Sequence, residues 1–560
     1  MVKKWEVSKV NNEEVENFAK KYKVSNLLAS ILVQKGITTE EQVKKFLHPT
    51  RMDFYNPFLL PDMDKAVARI NKAIENKENI TIYGDYDVDG ITSITLLKHF
   101  FADANINVRT YIPNRLEEGY GLNKDAIREI SYSDTTLIIT VDCGITGLEE
   151  IEYAKKIGID VIVTDHHEPG EEIPVCIAVV DAKRKDSKYP FNQLAGCGIA
   201  FKLIQALAMD WKLPEKEYLK YLDIAAIGTI SDIVPLVDEN RVIAKLGLML
   251  VEKTKNIGLK SLIDLCGFKK IDSTMVSFGL SPRINACGRL GHADEALDLF
   301  LETDKNVTTN LAKKMNEYNT ARQQVERKIY EEAVEEIIKE KDKPVIVIGK
   351  DGWHHGVAGI VSSKITDEYF KPSILICFEG DEGKGSGRSI PGFDLHEALM
   401  ECSDYLEKFG GHSMAVGITI KKDKFEDFKK AFTEYAESKN ISEIVPVINI
   451  ERKVDLKAVI LENVKELQQL EPFGEQNKMP LFLIENLKIV SIRSLSEGKH
   501  LKILLKQDNF FIDAIGFNMG DLTEQYKIED RVDIVGTIDV NVFNGNENVQ
   551  ITIKDIRKAI

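Results

Sequence analysis

Residues 80–93 read ITIYGDYDVDGITS, an apolar run that gives way to three carboxylates at alternate positions, Asp85, Asp87 and Asp89, and then to Gly90. The apolar run has the length and β-branched content of a strand, and the following GITSITLLKHFFADA has the length of a helix. The same grammar repeats downstream. NVRTYIP, TTLIITVDCG and IDVIVTDHH read as strands, and TGLEEIEYAKKIG reads as a helix. Short buried strands alternating with amphipathic helices predict βαβ units and an α/β fold with a mainly parallel sheet. In such a sheet ligands bind beyond the carboxyl ends of the strands. Asp142 follows the run at 137–141, and Asp165, His166 and His167 follow the run at 161–164. Three strands therefore end in side chains that can hold a metal.

With 560 residues the chain has room for three or four domains, and its 43% hydrophobic and 29% charged content matches a folded protein rather than a disordered one. No stretch reaches the roughly 20 apolar residues needed to cross a bilayer, and the N-terminus has no apolar leader. The expected location is the cytoplasm. The seven cysteines (143, 176, 197, 266, 287, 377 and 402) contain no C-x-x-C pair, so they are read as reduced packing residues. The net charge of −15 opposes nucleic-acid binding by bulk electrostatics. A polyanion must then be held by local basic clusters or by metal ions.

The chain divides by pattern into five segments. Residues 1–58 read as an N-terminal helical segment and 59–300 as the α/β unit just described. A long charged helix connects over 301–342. A second α/β unit covers 343–445, built from PVIVIG, GVAGIVSSKITDEYF, PSILICF and DLHEALMECSDYLEKFGGH. From 446 to 560 short strands and turn signals predict a small β-barrel of the OB-fold kind.

The acidic stretch opens like an EF-hand calcium loop, but that loop needs a glutamate at its twelfth position, and counting from Asp85 the twelfth is Leu96. An acidic turn without a ligand explains Asp85 alone. It does not explain the addition of Asp142, the DHH triplet at 165–167 and Asp232 in IGTISDIVPL. Oxygen and imidazole donors suit Mn²⁺ or Mg²⁺. Five converging carboxylates call for at least two divalent ions, a standard arrangement for phosphoryl hydrolysis.

YGDYDVDGITS, VDCGI, TDHH and GTISDIVPL resemble the successive motifs of the DHH phosphoesterase superfamily, and FGGHSMAVG resembles its associated DHHA1 motif. PNRLEEGYGLN, LAGCGIAFKL, SPRINACGRLGHADEAL, WHHGVAGIVSSKI, GSGRSI and LEPFGEQNKMPLF are similar to the RecJ exonuclease family within it. That resemblance implies a DHH domain, a DHHA1 domain and an OB-fold, and a 5′-to-3′ exonuclease that cuts single-stranded DNA to mononucleotides in repair and recombination. It implies Asp87 and Asp142 on one metal with Asp85 close by, and Asp89, Asp142, His166 and Asp232 on the other, with Asp142 bridging. His167 is left to face the scissile phosphate. It also implies single-strand-binding protein and a RecQ-type helicase as partners; the expected state is a monomer.

The substrate side is read from residue chemistry. Arg283, Asn285 and Arg289 in SPRINACGRLGHA are placed on a glycine-containing loop suited to phosphate oxygens; the competing reading pairs these arginines with nearby carboxylates. FGGHSMAVG is read as a helix end whose Gly410, Gly411 and His412 contact the strand. Ser386 and Arg388 in GKGSGRSIPG share that setting or belong to a surface hairpin. His355 stands at a helix N-terminus, and Trp353 either stacks on a base or packs. The basic stretch Lys488–Lys506 with Phe510, Phe511, Phe517 and Phe543 has the composition of a single-strand-binding surface. One alternative function is a DHH phosphodiesterase acting on short oligonucleotides or cyclic dinucleotides. At 179–186, VVDAKRKD carries Asp-Ala where many relatives have Asn-Pro.

Overall fold

The computed structural model describes residues 3–115, 118–543 and 545–559. A short strand, β1 (Lys4–Val7), precedes helices at Asn12–Tyr22, Asn26–Gln34 and Glu40–Leu47. The next five strands are β2 (Asn79–Gly84), β3 (Arg109–Tyr111), β4 (Thr135–Val141), β5 (Asp160–Thr164) and β6 (Ala178–Val180). They pair in the order β3-β2-β4-β5-β6, every pair parallel. β4 is apolar on both faces because helices cover both sides of the sheet. The helices Val88–Asp103, Gly196–Asp210 and Leu222–Ser231 pack together over one face and share its core with Ile82, Ile139 and Ile162.

The helix Lys305–Lys339 runs from this unit to a second sheet, as its charge pattern predicts. That sheet contains β7 (Ile346–Asp351), β8 (Ser373–Glu379), β9 (Glu382–Arg388), β10 (Lys408–His412) and β11 (Ala415–Lys421), in the order β10-β11-β9-β8-β7. One local expectation fails here and one open alternative is excluded. FGGHSMAVG does not end a helix; it forms the β10–β11 hairpin, with Gly410 opposite Gly417. GKGSGRS is not a surface hairpin but the central strand β9, paired on both sides. The glycines of β9 leave room for Ile376, Ile418 and Phe378 to close over the sheet.

Beyond β12 (Val447–Ile450) and β13 (Arg452–Lys453), the strands β14 (Phe482–Leu495), β15 (His500–Gln507), β16 (Phe510–Gly516), β17 (Arg531–Phe543) and β18 (Asn546–Lys558) form a barrel. It is closed by β14 pairing with both β15 and β17. Residues 1–58 are more than a helical lead-in. β1 pairs in parallel with β12, and Val15, Leu28, Ile31 and Leu47 share one core with Leu467, Leu487, Ile503 and Ile534 of the barrel region.

Candidate metal centre and substrate cleft

β2, β4 and β5 each end in the carboxylates or imidazoles that the strand-end rule predicts. Asp85 follows β2. Asp87 caps the helix Val88–Asp103, its Oδ1 accepting the Asp89 and Gly90 N–H groups. Asp142 follows β4 with φ +59, a left-handed conformation that aspartate tolerates better than most residues. His166 follows β5, and Asp232 caps the C-terminus of Leu222–Ser231. Potential ligand atoms fall into close groups, each within 4.8 Å: Asp85, Asp87 and Asp142; Asp89, His166 and Asp232; Asp142, His166 and His167. His166 Nε2 lies 3.0 Å from Asp142 Oδ1 and 3.7 Å from oxygens of Asp89 and Asp232.

Three buried atoms decide whether this cluster suits a cation. Asp85 Oδ1, Asp142 Oδ1 and His166 Nε2 have no hydrogen-bond partner, although the last two face each other. Burial, together with the neighbouring aspartates, pushes the carboxyls of Asp85, Asp142 and Asp232 well above the usual carboxylate range. Burial lowers His166 to about 4, so its imidazole is neutral at pH 7 and offers a lone pair. Buried acceptors that converge without donors, in an oxygen-and-imidazole set, are what Mn²⁺ or Mg²⁺ requires.

The positioning groups are mostly backbone. The N–H groups of Gly196 and Cys197, at the start of Gly196–Asp210, donate to Asp89 Oδ2 and Oδ1 at 2.6 and 2.7 Å. A Cβ at Gly196 would sit 2.6 Å from Asp142 Oδ1, so only glycine lets the helix start approach both acids. Asp165 does not join these groups. Its Oδ1 accepts from the His166 and His167 N–H groups and faces His167 Nδ1 at 2.7 Å, while Oδ2 accepts the Ile145 N–H. Burial opposes ionisation of Asp165, but the His167 contact outweighs it and holds the carboxyl below its ordinary value. Burial likewise opposes the charged form of His167, yet Asp165 raises its pKa. Tyr120 brings its hydroxyl within 3.2 Å of the His167 ring nitrogens.

Asp181, in the departing VVDAKRKD stretch, is fully buried with Oδ2 unpaired, and burial raises its carboxyl to about 7. An acid whose folded pKa is raised costs the fold increasingly as pH climbs from its unfolded value to its folded one. We expect Asp181→Asn to raise the melting temperature by roughly 2–4 °C at pH 8. The gain should grow between about pH 4 and pH 7 and level off above, as read by thermal unfolding from pH 4 to pH 8.

The residues expected to hold substrate are partly brought together. Arg283, Asn285 and Arg289 lie on a helix, Ser281–Arg289, rather than on a loop; Pro282 is accommodated in its first turn. Asn285 and Arg289 line a cleft of about 930 Å³ with Arg322, Phe278, Phe473 and Met479. Arg283 turns to the connector helix instead, donating to Asn316 Oδ1 and the Gly279 carbonyl. Arg289 also donates to the Gly356 carbonyl beside His355, which ties the two α/β units together. Ser386 and Arg388 on β9 sit under Gly359, while Gly410, Gly411 and His412 occupy the exposed edge strand β10. Gly410, Gly417 and Ser386 form one row across the sheet. Trp353 packs, donating to Glu332. On the barrel, Phe510, Phe511 and Phe517 are exposed, and Lys506 lies over the Phe511 ring. The Phe543 side chain lies outside the described residues, as do residues 116 and 117 of PNRLEEGYGLN.

Sequence reasoning assigned nothing to Tyr120, Arg115, Arg322 or the Gly196 and Cys197 amides. Arg115 stacks over Tyr86, and its charge acts on Asp85, Arg289 and His355, so it stands between the acidic cluster and the second unit. The available signal was the pair of motifs PNRLEEGYGLN and LAGCGIAFKL, which contain all of these but Arg322.

Three family models match the chain: the DHH family N-terminal domain over residues 79–229, the DHHA1 domain over 342–438 and the RecJ OB domain over 450–555. The single-stranded-DNA-specific exonuclease RecJ of Bacillus subtilis (strain 168) is 40% identical over 559 residues, covering 99% of this chain and 70% of that protein. The crystal structure of RecJ in complex with Mn²⁺ from Thermus thermophilus superposes with a TM-score of 0.87 at 29% identity, covering 100% of this chain and 80% of that one. The Mg²⁺ complex of RecJ from the same organism gives 0.79 at 28% identity, covering 100% and 79%. Among the described residues no helix is long and apolar enough to cross a membrane. With the DHH, DHHA1 and OB parts in order and the acidic cluster at the strand ends, the chain belongs to the RecJ family of single-stranded-DNA-specific exonucleases.

Proposed function

We propose that this protein degrades single-stranded DNA from its 5′ end to 5′-mononucleotides, with two divalent cations, Mn²⁺ or Mg²⁺, in DNA repair and recombination. The observation that carries the reading is the set of unpartnered buried ligand atoms on Asp85, Asp142 and His166. Asp85, Asp87 and Asp142 would hold one cation, and Asp89, Asp142, His166 and Asp232 the other. Bound there, the cations supply an activated water and neutralise charge on the phosphate. His167 would donate a proton or hydrogen bond to a phosphate oxygen, a role supported by its contacts with Asp165 and Tyr120. Asn285, Arg289, His355, Ser386, Arg388, Gly410, Gly411 and His412 bind the strand, with Arg115 and Arg322 added. For Arg283 the contacts with Asn316 and Gly279 favour a structural role.

The exposed aromatics and lysines of the barrel support a role in holding longer strands. The division at 59–300, 301–342, 343–445 and 446–560 matches this allocation of chemistry, spacing and binding, with residues 1–58 supporting the barrel. The protein works in the cytoplasm as a monomer, beside single-strand-binding protein and a RecQ-type helicase. The test is Mn²⁺-dependent digestion of a long oligonucleotide labelled at its 3′ end, with dinucleotide and cyclic dinucleotide in parallel. A ladder shortening from the 5′ end is expected. Turnover of only the small substrates would replace this reading with the phosphodiesterase alternative.

A further inference from the structure

The segment between Asp232 and the helix Asp238–Val251 is not a free loop. Ile233, directly after Asp232, has φ +59, a left-handed conformation that β-branched residues avoid. The contacts point to the LEPFGEQN stretch ahead of the barrel. Leu236 donates its N–H to the Glu475 carbonyl at 2.8 Å, and its side chain lies where a Cβ at Gly474 would come within 2.6 Å of it. Arg241, on the same helix and only 1% exposed, donates to the carbonyls of Glu471, Gln469, Pro472 and Phe46. Lys245 reaches the Leu47 and Gln469 carbonyls. Asn477, fully buried, closes the stretch on itself through the Leu470 and Pro472 carbonyls.

The choice of partners is physically specific. Phe46 and Leu47 end the helix Glu40–Leu47, and Gln469 lies in the turn after Leu461–Leu467, so the two cations of one helix satisfy orphan carbonyls at two other helix ends. Arg241 and Asn477 are buried and their partners are buried or half-buried, so the fit of the 469–477 stretch on the catalytic unit admits little play.

We propose that residues 471–477 act as a strut that holds Asp232 in the metal centre, with Arg241 and Gly474 as positioning residues, so that the seating of the barrel region sets the affinity for divalent cations. The proposal rests on the reading of Asp232 as a ligand. The experiment is calorimetric titration of Mn²⁺ into the full-length protein, paired with thermal unfolding in chelator. Gly474→Val should weaken Mn²⁺ binding at least about tenfold, and Leu236→Ala in the same chain, which makes room for the valine, should recover most of that loss. Arg241→Lys, which keeps the charge but cannot reach all its carbonyls, should also weaken binding and serves if Gly474→Val does not fold. Lower melting temperatures with unchanged Mn²⁺ affinity in both Gly474→Val and Arg241→Lys would overturn the proposal. Asp232→Asn separates the two readings: unchanged affinity there removes Asp232 as a ligand and the strut with it, whereas weakened binding in Asp232→Asn alone overturns only the strut.

Discussion

Asp142→Ala is expected to reduce DNA hydrolysis by at least about 10³-fold, because Asp142 belongs to two of the close ligand groups and its loss weakens every cation held there. The same change should stabilise the metal-free protein. Five carboxylates crowd this pole, and burial with mutual repulsion holds Asp85, Asp142 and Asp232 in protonated form well above the usual range. A raised folded pKa gives stability that declines as pH rises above the unfolded value. In chelator the wild type should therefore lose stability as pH rises above about 4, and Asp142→Ala or Asp142→Asn should lose less. Added Mn²⁺ should reverse the order, raising the wild-type melting temperature more than the variant's. Normal hydrolysis by Asp142→Ala would remove it from the shared position.

Gly196→Ala carries the second large effect. The added methyl would stand 2.6 Å from Asp142 Oδ1 and 2.8 Å from its Cγ, so the helix start or the acid must move. Movement of the helix start breaks the two N–H bonds that hold Asp89, and movement of the acid displaces a proposed ligand. Hydrolysis should fall by about 10²–10³-fold, the scale of losing placed polar contacts at a reacting centre. Gly198→Ala is the control. Its methyl would meet Leu194 at 3.4 Å, an ordinary contact, and activity should stay near wild type. Equal losses in both variants would point to damage of the helix rather than of the acid pair.

Much of the catalytic end was legible in the sequence because it obeys two local rules at once. The runs that became β2, β4 and β5 are short and apolar, and each stops just before a carboxylate or imidazole of the converging cluster. What escaped was non-local. The glycines of FGGHSMAVG signal a helix end when read alone; they form an edge strand because β9 supplies a glycine-rich partner on the far side of β11. SPRINACGR carries proline, asparagine and glycine and reads as a loop. It is helical because Leu280, Ile284 and Cys287 bury against the catalytic core. The amides that hold Asp89 have no side-chain signature, and Arg115 and Tyr120 gain meaning only when their segment folds back over the strand ends.

The pairing of β1 with β12, and the core that the first three helices share with the barrel, bear on how the chain is made. Ser25 hydrogen-bonds to Glu466, 441 residues later. At about 5–20 residues per second, a ribosome takes roughly 20–90 s to deliver that partner. Throughout that interval Val15, Leu28, Ile31 and Leu47 have only their own helices to pack against. The core that these residues share with Leu467, Leu487, Ile503 and Ile534 thus closes only after the barrel strands have been made.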